Sequence, residues 1–223
     1  MNLSALATDG FALVPSFIES DTANELRAMY DDDAAAFRSR IVMQRHAFGR
    51  GEYKYFANPL PPAIGELRER LYAALAPTAN EWASQLRLNV TFPSALGEFL
   101  ERCFASDQRR PTPLLLKYRA GDYNCLHQDL YGPVTFPLQA TIYLSRPGNE
   151  FDGGEVVLSE QRPRAQTRVH VLQPRQGDLL VLPSHSVPRQ GTRGTYRAAF
   201  KHGVGTVRRG TRYVLGVVFH EAL

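Results

Sequence analysis

The chain reads Leu114-Leu-Leu-Lys-Tyr118-Arg-Ala-Gly121-Asp-Tyr-Asn-Cys-Leu-His127-Gln-Asp129 at the point that decides its fold. The apolar run predicts a strand over residues 113–119, and the Ala-Gly-Asp step that follows predicts a turn. His127 and Asp129 end the next extended segment. Because side chains alternate along a strand, these two side chains share one face. An imidazole and a carboxylate placed in this way are candidate metal ligands.

The rest of the C-terminal half repeats this pattern of short apolar segments separated by Gly, Pro, Asn and Asp. Further strands are predicted over 134–145, 155–159, 167–172, 178–182, 195–202 and 212–220. Many short strands with such breaks are typical of a sandwich or a double-stranded β-helix of the jelly-roll type. The sequence therefore predicts a mainly β fold, with the β core over residues 113–223.

The N-terminal half, residues 1–112, is predicted to be mostly helical support for this core, so that residues 1–223 form a single domain. A short strand is predicted at 11–14, a helix from Ser20 or Asp21 to Phe37, and helices from Pro62 and over 94–104. Pro77 is expected to break or kink the second helix. Residues 41–62 are predicted to be irregular, and they interleave basic and aromatic residues, including Tyr53 and Tyr55.

The charge distribution is uneven. The net charge is +4, but from Arg162 to the C-terminus eleven Lys and Arg residues face two acidic ones, which gives +9. A basic C-terminal portion suggests an anionic partner, with nucleic acid as one candidate. No apolar run is long enough to cross a membrane. Two cysteines, Cys103 and Cys125, indicate free buried thiols and a reducing, cytoplasmic location.

A third ligand would complete a set of two histidines and one carboxylate, which suits Fe(II) and leaves three coordination positions open. His202 is favoured because it ends a predicted strand and lies ten residues before Arg212, whose guanidinium can clamp a carboxylate. His185 is the alternative. It lies in a segment flanked by Pro183 and Pro188, where it is either a substrate contact near the site or a surface residue.

Three groups of residues resemble the 2-oxoglutarate and Fe(II)-dependent oxygenase superfamily. Tyr118-x-x-Gly121 with His127-Gln-Asp129 is similar to the iron-site segment of AlkB-type dealkylases. Phe151-x-Gly-Gly-Glu155, Gly177-Asp178-Leu-Leu and His202-x-Val204 through Arg212 resemble the later strands of prolyl-hydroxylase-like enzymes. The stretches Leu126-His-Gln-Asp129, Glu160-Gln-Arg-Pro-Arg164 and Gln190-Gly-Thr-Arg-Gly194 resemble bacterial oxygenases linked to nucleic-acid alkylation damage.

The resemblance implies Fe(II), 2-oxoglutarate and O2 as cofactor and cosubstrates. It implies His127, Asp129 and His202 as iron ligands, Arg212 as the anchor of 2-oxoglutarate, and Tyr118 as a hydroxyl donor to it. Two departures from the AlkB pattern are Leu116, where that family has Asn, and the absence of a second Arg over Gly216–His220. The cosubstrate pocket is therefore expected to follow the prolyl-hydroxylase pattern.

Two substrate classes follow for such an enzyme. Alkylated DNA or RNA would contact Tyr53 and Tyr55 of the aromatic segment and the cations of two predicted hairpins, one with Arg162, Arg164 and Arg168 and one with Arg189 and Arg193. A protein or amino-acid substrate is the alternative, favoured by the Gly153-Gly154 turn. A β-sandwich that only binds ligands is a third interpretation. The sequence leaves the oligomeric state open.

Overall fold

The computed structural model describes residues 1–32, 36–192 and 194–223. Within these residues lie four α-helices and a 3₁₀ helix at Met43–His46. The α-helices are α1 (Ala5–Thr8), α2 (Ser20–Ala28), α3 (Pro62–Gln85) and α4 (Leu96–Ala105). The strands are β1 (Ala12–Val14), β2 (Phe37–Val42), β3 (Gly49–Arg50), β4 (Glu52–Phe56), β5 (Leu114–Arg119), β6 (Tyr123–His127), β7 (Leu138–Tyr143), β8 (Phe151–Gly153), β9 (Val156–Gln161), β10 (Arg168–Leu172), β11 (Leu179–Pro183), β12 (Ser186–Gly191), β13 (Gly194–Val204) and β14 (Val207–Val217).

The strands form two sheets whose paired strands are all antiparallel. The larger sheet has the order β1-β11-β7-β14-β5-β4-β2, with β8 paired to β14. The smaller has the order β10-β9-β13-β6-β3, with β12 paired to β13. Strands adjacent in a sheet are often distant in sequence, as expected for a jelly roll. The predicted mainly β, jelly-roll fold is confirmed.

Helices α3 and α4 cover the outer face of the larger sheet. A cluster of aromatic rings joins them to it, with Tyr72 and Phe99 from the helices against Phe136 and Phe219. Helix α3 begins at Pro62 as predicted, and it runs through Pro77 without ending there. Its buried stripe extends on both sides of Pro77, so packing against the sheet holds the helix together where the proline removes a hydrogen bond. None of the helices in the described parts of the chain is long and apolar enough to cross a membrane.

Two predictions for the N-terminal half are wrong. The helix from Ser20 ends at Ala28, and Phe37 begins β2, where its ring stacks on Phe56 with centroids 4.9 Å apart. Ala34, expected on the same helix, lies outside the described residues. Residues 41–56 are not irregular, because β4 lies between β5 and β2 at one end of the larger sheet and β3 forms an edge of the smaller sheet. Strand β4 is held by pairing with β5, a contact across about sixty residues that local composition does not reveal.

Pairing between strands also sets the positions that matter for chemistry. His202 on β13 lies opposite His127 on β6. Arg212 on β14 lies opposite Tyr118 on β5. Strand β14 begins at Val207 and not at Arg212, so Arg212 sits in the middle of a strand and its side chain is fixed by neighbours on both sides.

Candidate active site

Three candidate metal ligands come together at strands β6 and β13 of the smaller sheet. His127 is the last residue of β6, His202 lies on the adjacent β13, and Asp129 follows two residues after His127. The ligand atoms of these three residues all lie within 4.8 Å of one another, and no other such group occurs among the described residues. A set of two neutral imidazoles and one carboxylate fits Fe(II).

One backbone hydrogen bond and two close imidazole–carboxylate contacts define the geometry of the triad. Nδ1 of His127 lies 2.8 Å from the carbonyl oxygen of Cys125, and donation from Nδ1 leaves Nε2 free for a metal. Nε2 of His202 lies 3.2 Å from Oδ2 of Asp129, and Nε2 of His127 lies 3.6 Å from Oδ1. Cys125 itself is exposed, which corrects the prediction of a buried thiol.

The electrostatics favour the protonation states that a divalent metal requires. Burial lowers the pKa of His127, and the nearby His202 lowers it further. Burial acts to raise the pKa of Asp129, but the hydrogen bond from His202 and the two imidazoles outweigh it and hold that pKa well below its usual range. At neutral pH the site therefore offers a neutral His127 and an ionised carboxylate.

Gln128 fastens the triad segment to the smaller sheet. Its Nε2 donates to the carbonyl oxygens of His185, at 2.7 Å, and Phe200, at 2.8 Å. His185 thus supports the site through its backbone. Its imidazole is absent from the metal-binding cluster and does not line the neighbouring cavity. The geometry therefore favours His202 over His185 as the third candidate ligand.

A cavity of about 350 Å³ lies between the two sheets and contains the triad at one side and Arg212 at another. The Arg212 side chain is only 3% exposed, and its guanidinium carbon lies 5.4 Å from the ring centres of both Tyr118 and Tyr143. No acidic side chain among the described residues forms an ion pair with it. A buried cation of this kind is suited to receive a carboxylate from a ligand.

The residues around Arg212 complete this end of the cavity. Burial raises the pKa of Tyr118 to about 12, so its hydroxyl keeps its proton and can donate. Asn124 donates to that hydroxyl at 3.4 Å. Gly154 has a positive φ of 62°, and a Cβ atom there would lie 2.9 Å from Cδ of Arg212. The Gly153-Gly154 turn thus leaves room for the arginine side chain.

The cavity residues that the sequence analysis did not single out include Asn124, Tyr131, Gln139 and Tyr143. Tyr131 donates its hydroxyl to Oδ1 of Asp129 at 2.7 Å. Gln139 is buried, and its Nε2 has no hydrogen-bond partner among the described residues. Gln139 and Tyr143 lie on the predicted strand 134–145 at even spacing, so alternation along that strand was the available signal.

The candidate substrate residues lie in different parts of the structure. Tyr53 and Tyr55 line the cavity. Arg164 is exposed in the turn between β9 and β10, and Arg162 beside it pairs with Glu160 at 2.9 Å. Neither arginine lines the cavity.

The predicted surface role of Arg189 is wrong. Its side chain is buried, donates to Glu160 at 2.8 Å and also reaches the backbone oxygens of Thr8 and Asp9. The reason is that the expected loop after Pro183 forms strand β12, which turns this side chain inward. Arg193 lies outside the described residues.

Comparison with known proteins agrees with this geometry. A family model described as "Oxygenase, catalysing oxidative methylation of damaged DNA" matches residues 51–222. The chain belongs to this oxygenase family. An uncharacterized protein of Mycobacterium tuberculosis is 42% identical to the oxygenase over 176 residues, which are 79% of this chain and 76% of that protein.

Solved structures share the fold at low identity. A prolyl-4-hydroxylase of Pseudomonas putida aligns with a TM-score of 0.52 and 18% identity, over 95% of this chain and 92% of that one. An oxidoreductase of the 2OG-Fe(II) oxygenase family from Burkholderia pseudomallei aligns with a TM-score of 0.53 and 15% identity, over 98% and 90% of the chains. A prolyl hydroxylase of Trichoplax adhaerens, solved with a hypoxia inducible factor peptide, aligns with a TM-score of 0.54 and 16% identity, over 95% of this chain and 84% of that one.

Family, fold and donor set agree. The protein is a 2-oxoglutarate-dependent Fe(II) dioxygenase, with Fe(II), 2-oxoglutarate and O2 as its cofactor and cosubstrates. The third interpretation, a β-sandwich that only binds ligands, disagrees with membership of an oxygenase family.

Proposed function

We propose that this oxygenase oxidises an alkylated base in damaged nucleic acid, with His127, Asp129 and His202 holding the iron and Arg212 and Tyr118 binding the distal carboxylate of 2-oxoglutarate. The observation that carries the proposal is the arrangement of the cavity. One wall supplies three ligand atoms within 4.8 Å of one another, and the same cavity holds a buried arginine without an acidic partner among the described residues.

Bound iron and 2-oxoglutarate supply the oxidising chemistry with O2, converting the cosubstrate to succinate and carbon dioxide. The protein supplies position and exclusion of water. Arg212 offers two parallel N–H donors to a carboxylate, and Tyr118 offers a protonated hydroxyl beside it. Leu114, Leu116 and Val214 line the cavity with apolar surface that strengthens these contacts.

The substrate proposal is supported by the cavity opening. Phe48 and Leu126 both line the cavity and are exposed, at 49% and 45%, so they mark its mouth. Arg45 and Arg50 flank Phe48 in sequence and are exposed. Aromatic surface between cations suits a base that is single-stranded or flipped out of a duplex, because the base can stack while the cations meet phosphate. The matching family description, which names damaged DNA, supports the same class.

On an N-alkylated base, oxidation of the attached carbon gives a hydroxylated group that leaves as an aldehyde and restores the base. The test is a panel of oligonucleotides with single N-methylated bases, scored for succinate and for formaldehyde in equal amounts. Binding should weaken steeply as salt rises, because phosphate contacts release counterions. Turnover of a neutral peptide or amino acid with no dependence on salt would contradict the proposal.

A protein or amino-acid hydroxylase is the second candidate. It is favoured by one observation: Arg162 is paired with Glu160 and Arg189 is buried, so the basic hairpins offer fewer free cations than the charge count suggests. The double variant Arg45→Ala/Arg50→Ala separates the two candidate functions. If nucleic acid is the substrate, the variant should weaken oligonucleotide turnover. If a protein or amino acid is the substrate, peptide turnover should be unchanged.

A further inference from the structure

Tyr131 contacts the carboxylate of the candidate metal site. It follows Asp129 by two residues, and its hydroxyl donates to Oδ1 at 2.7 Å. The other carboxylate oxygen, Oδ2, lies 3.2 Å from Nε2 of His202. The two oxygens of Asp129 therefore have different environments. Oδ1 accepts the phenol hydrogen bond and lies 3.6 Å from Nε2 of His127, whereas Oδ2 lies closer to its imidazole, that of His202, and has no phenol partner.

The surroundings of Tyr131 hold its hydroxyl in place. Its ring packs on His220, which is fully buried, with centroids 5.7 Å apart. The backbone of Asp129 is fixed as well, because its N–H donates to the carbonyl oxygen of Ser184 at 3.3 Å.

We propose that Tyr131 is a positioning residue of the iron site, whose hydroxyl occupies Oδ1 of Asp129 so that the carboxylate binds metal through Oδ2 alone. This rests on the proposed assignment of His127, Asp129 and His202 as ligands. A carboxylate can bind a metal through one oxygen or two. A second bound oxygen would take a position that the cosubstrate or O2 requires, because the three-residue set leaves three positions open.

The test uses the metal-free protein and Co(II) alone, so that neither nucleic acid nor turnover is needed. Tyr131→Phe removes the hydroxyl and keeps the ring. Tyr72→Phe is a matched control, because it also removes one hydroxyl that donates at 3.0 Å, to the carbonyl oxygen of Pro93, in the aromatic core away from the site. Calorimetric titration measures Co(II) affinity, and visible absorption reports its coordination.

Tyr131→Phe should weaken Co(II) binding about 10- to 100-fold, the usual effect of removing a hydrogen bond to a metal ligand, and should change the Co(II) spectrum. Tyr72→Phe should change neither. Wild-type affinity and spectrum in Tyr131→Phe, together with lost binding in His202→Ala, would overturn the role of Tyr131 and leave the site assignment standing. Unchanged Co(II) binding in both Tyr131→Phe and His202→Ala would overturn the assignment of His127, Asp129 and His202 as metal ligands.

A second measurement does not depend on the folding of any variant. In a crystal structure of the wild-type protein with Co(II), the proposal requires one oxygen of Asp129 on the metal and the other on Tyr131. Equal distances from Co(II) to the two carboxylate oxygens of Asp129 would contradict the proposal.

Discussion

Replacing Arg212 by Met should weaken the binding of 2-oxoglutarate and, at the same time, stabilise the ligand-free protein. The Arg212 side chain is 3% exposed and lies between two tyrosine rings, with no acidic partner among the described residues. A carboxylate bound there forms a buried ion pair, and removing one member of such a pair costs about 3–5 kcal/mol. The affinity for 2-oxoglutarate should therefore fall by roughly two to three and a half orders of magnitude.

The same substitution should stabilise the ligand-free protein, because Met fills similar space without a charge that must be desolvated. The assays are calorimetric titration of 2-oxoglutarate into the Mn(II)-loaded protein without O2, and thermal unfolding of the free protein. 2-Oxobutyrate, which lacks the distal carboxylate, is the control ligand and should bind both proteins equally. Wild-type affinity for 2-oxoglutarate in Arg212→Met would refute the reasoning.

Three further predictions concern other parts of the chain. Phe48→Ala should weaken binding of single-stranded methylated oligonucleotides by about 1–3 kcal/mol, because one base loses its stacking partner; equal binding in a fluorescence titration would count against the proposed mouth. Glu160→Gln should cost about 3–5 kcal/mol in chemical denaturation, because Arg189 is left buried without its counter-charge. Burial acts to raise the pKa of Glu160, but Arg189 and Arg162 outweigh it and lower that pKa below 4.5. The stability that Glu160 contributes should therefore be complete above pH 4.5 and disappear as the pH falls through the lowered pKa. A stability difference between wild type and Glu160→Gln that does not depend on pH would contradict this role of Glu160. Gln139→Met should raise the unfolding free energy of the ligand-free protein by about 1–3 kcal/mol, because a buried amide nitrogen without a partner among the described residues is removed, and a lower melting temperature would show that this nitrogen is satisfied.

The candidate metal site was predictable because most of its signals are local. His127 and Asp129 lie two apart at the end of a strand, and His202 and Arg212 each lie on a recognisable strand. The mainly β fold was predictable for the same reason, since alternation and turn residues mark most of the strands that build the two sheets.

The residues that support the site were not predictable, because their contacts join distant parts of the chain. Strand β4 exists because it pairs with β5, and Phe37 is in a strand because β2 pairs with β4. Arg189 looked like a surface cation until strand β12 turned it toward Glu160. Tyr131 lies in no predicted element, and only the folded chain shows its hydroxyl on Asp129. Sequence patterns report periodicity, whereas these roles depend on which strands become neighbours.

We propose that His127, Asp129 and His202 hold an iron that uses 2-oxoglutarate. The most direct measurement is the formation of succinate from 2-oxoglutarate without substrate, compared between wild type, His202→Ala and His185→Ala. The structure predicts that His202→Ala abolishes succinate formation and that His185→Ala retains it, because the His202 imidazole belongs to the candidate ligand group and that of His185 does not. Retained turnover in His202→Ala with loss in His185→Ala would contradict the account.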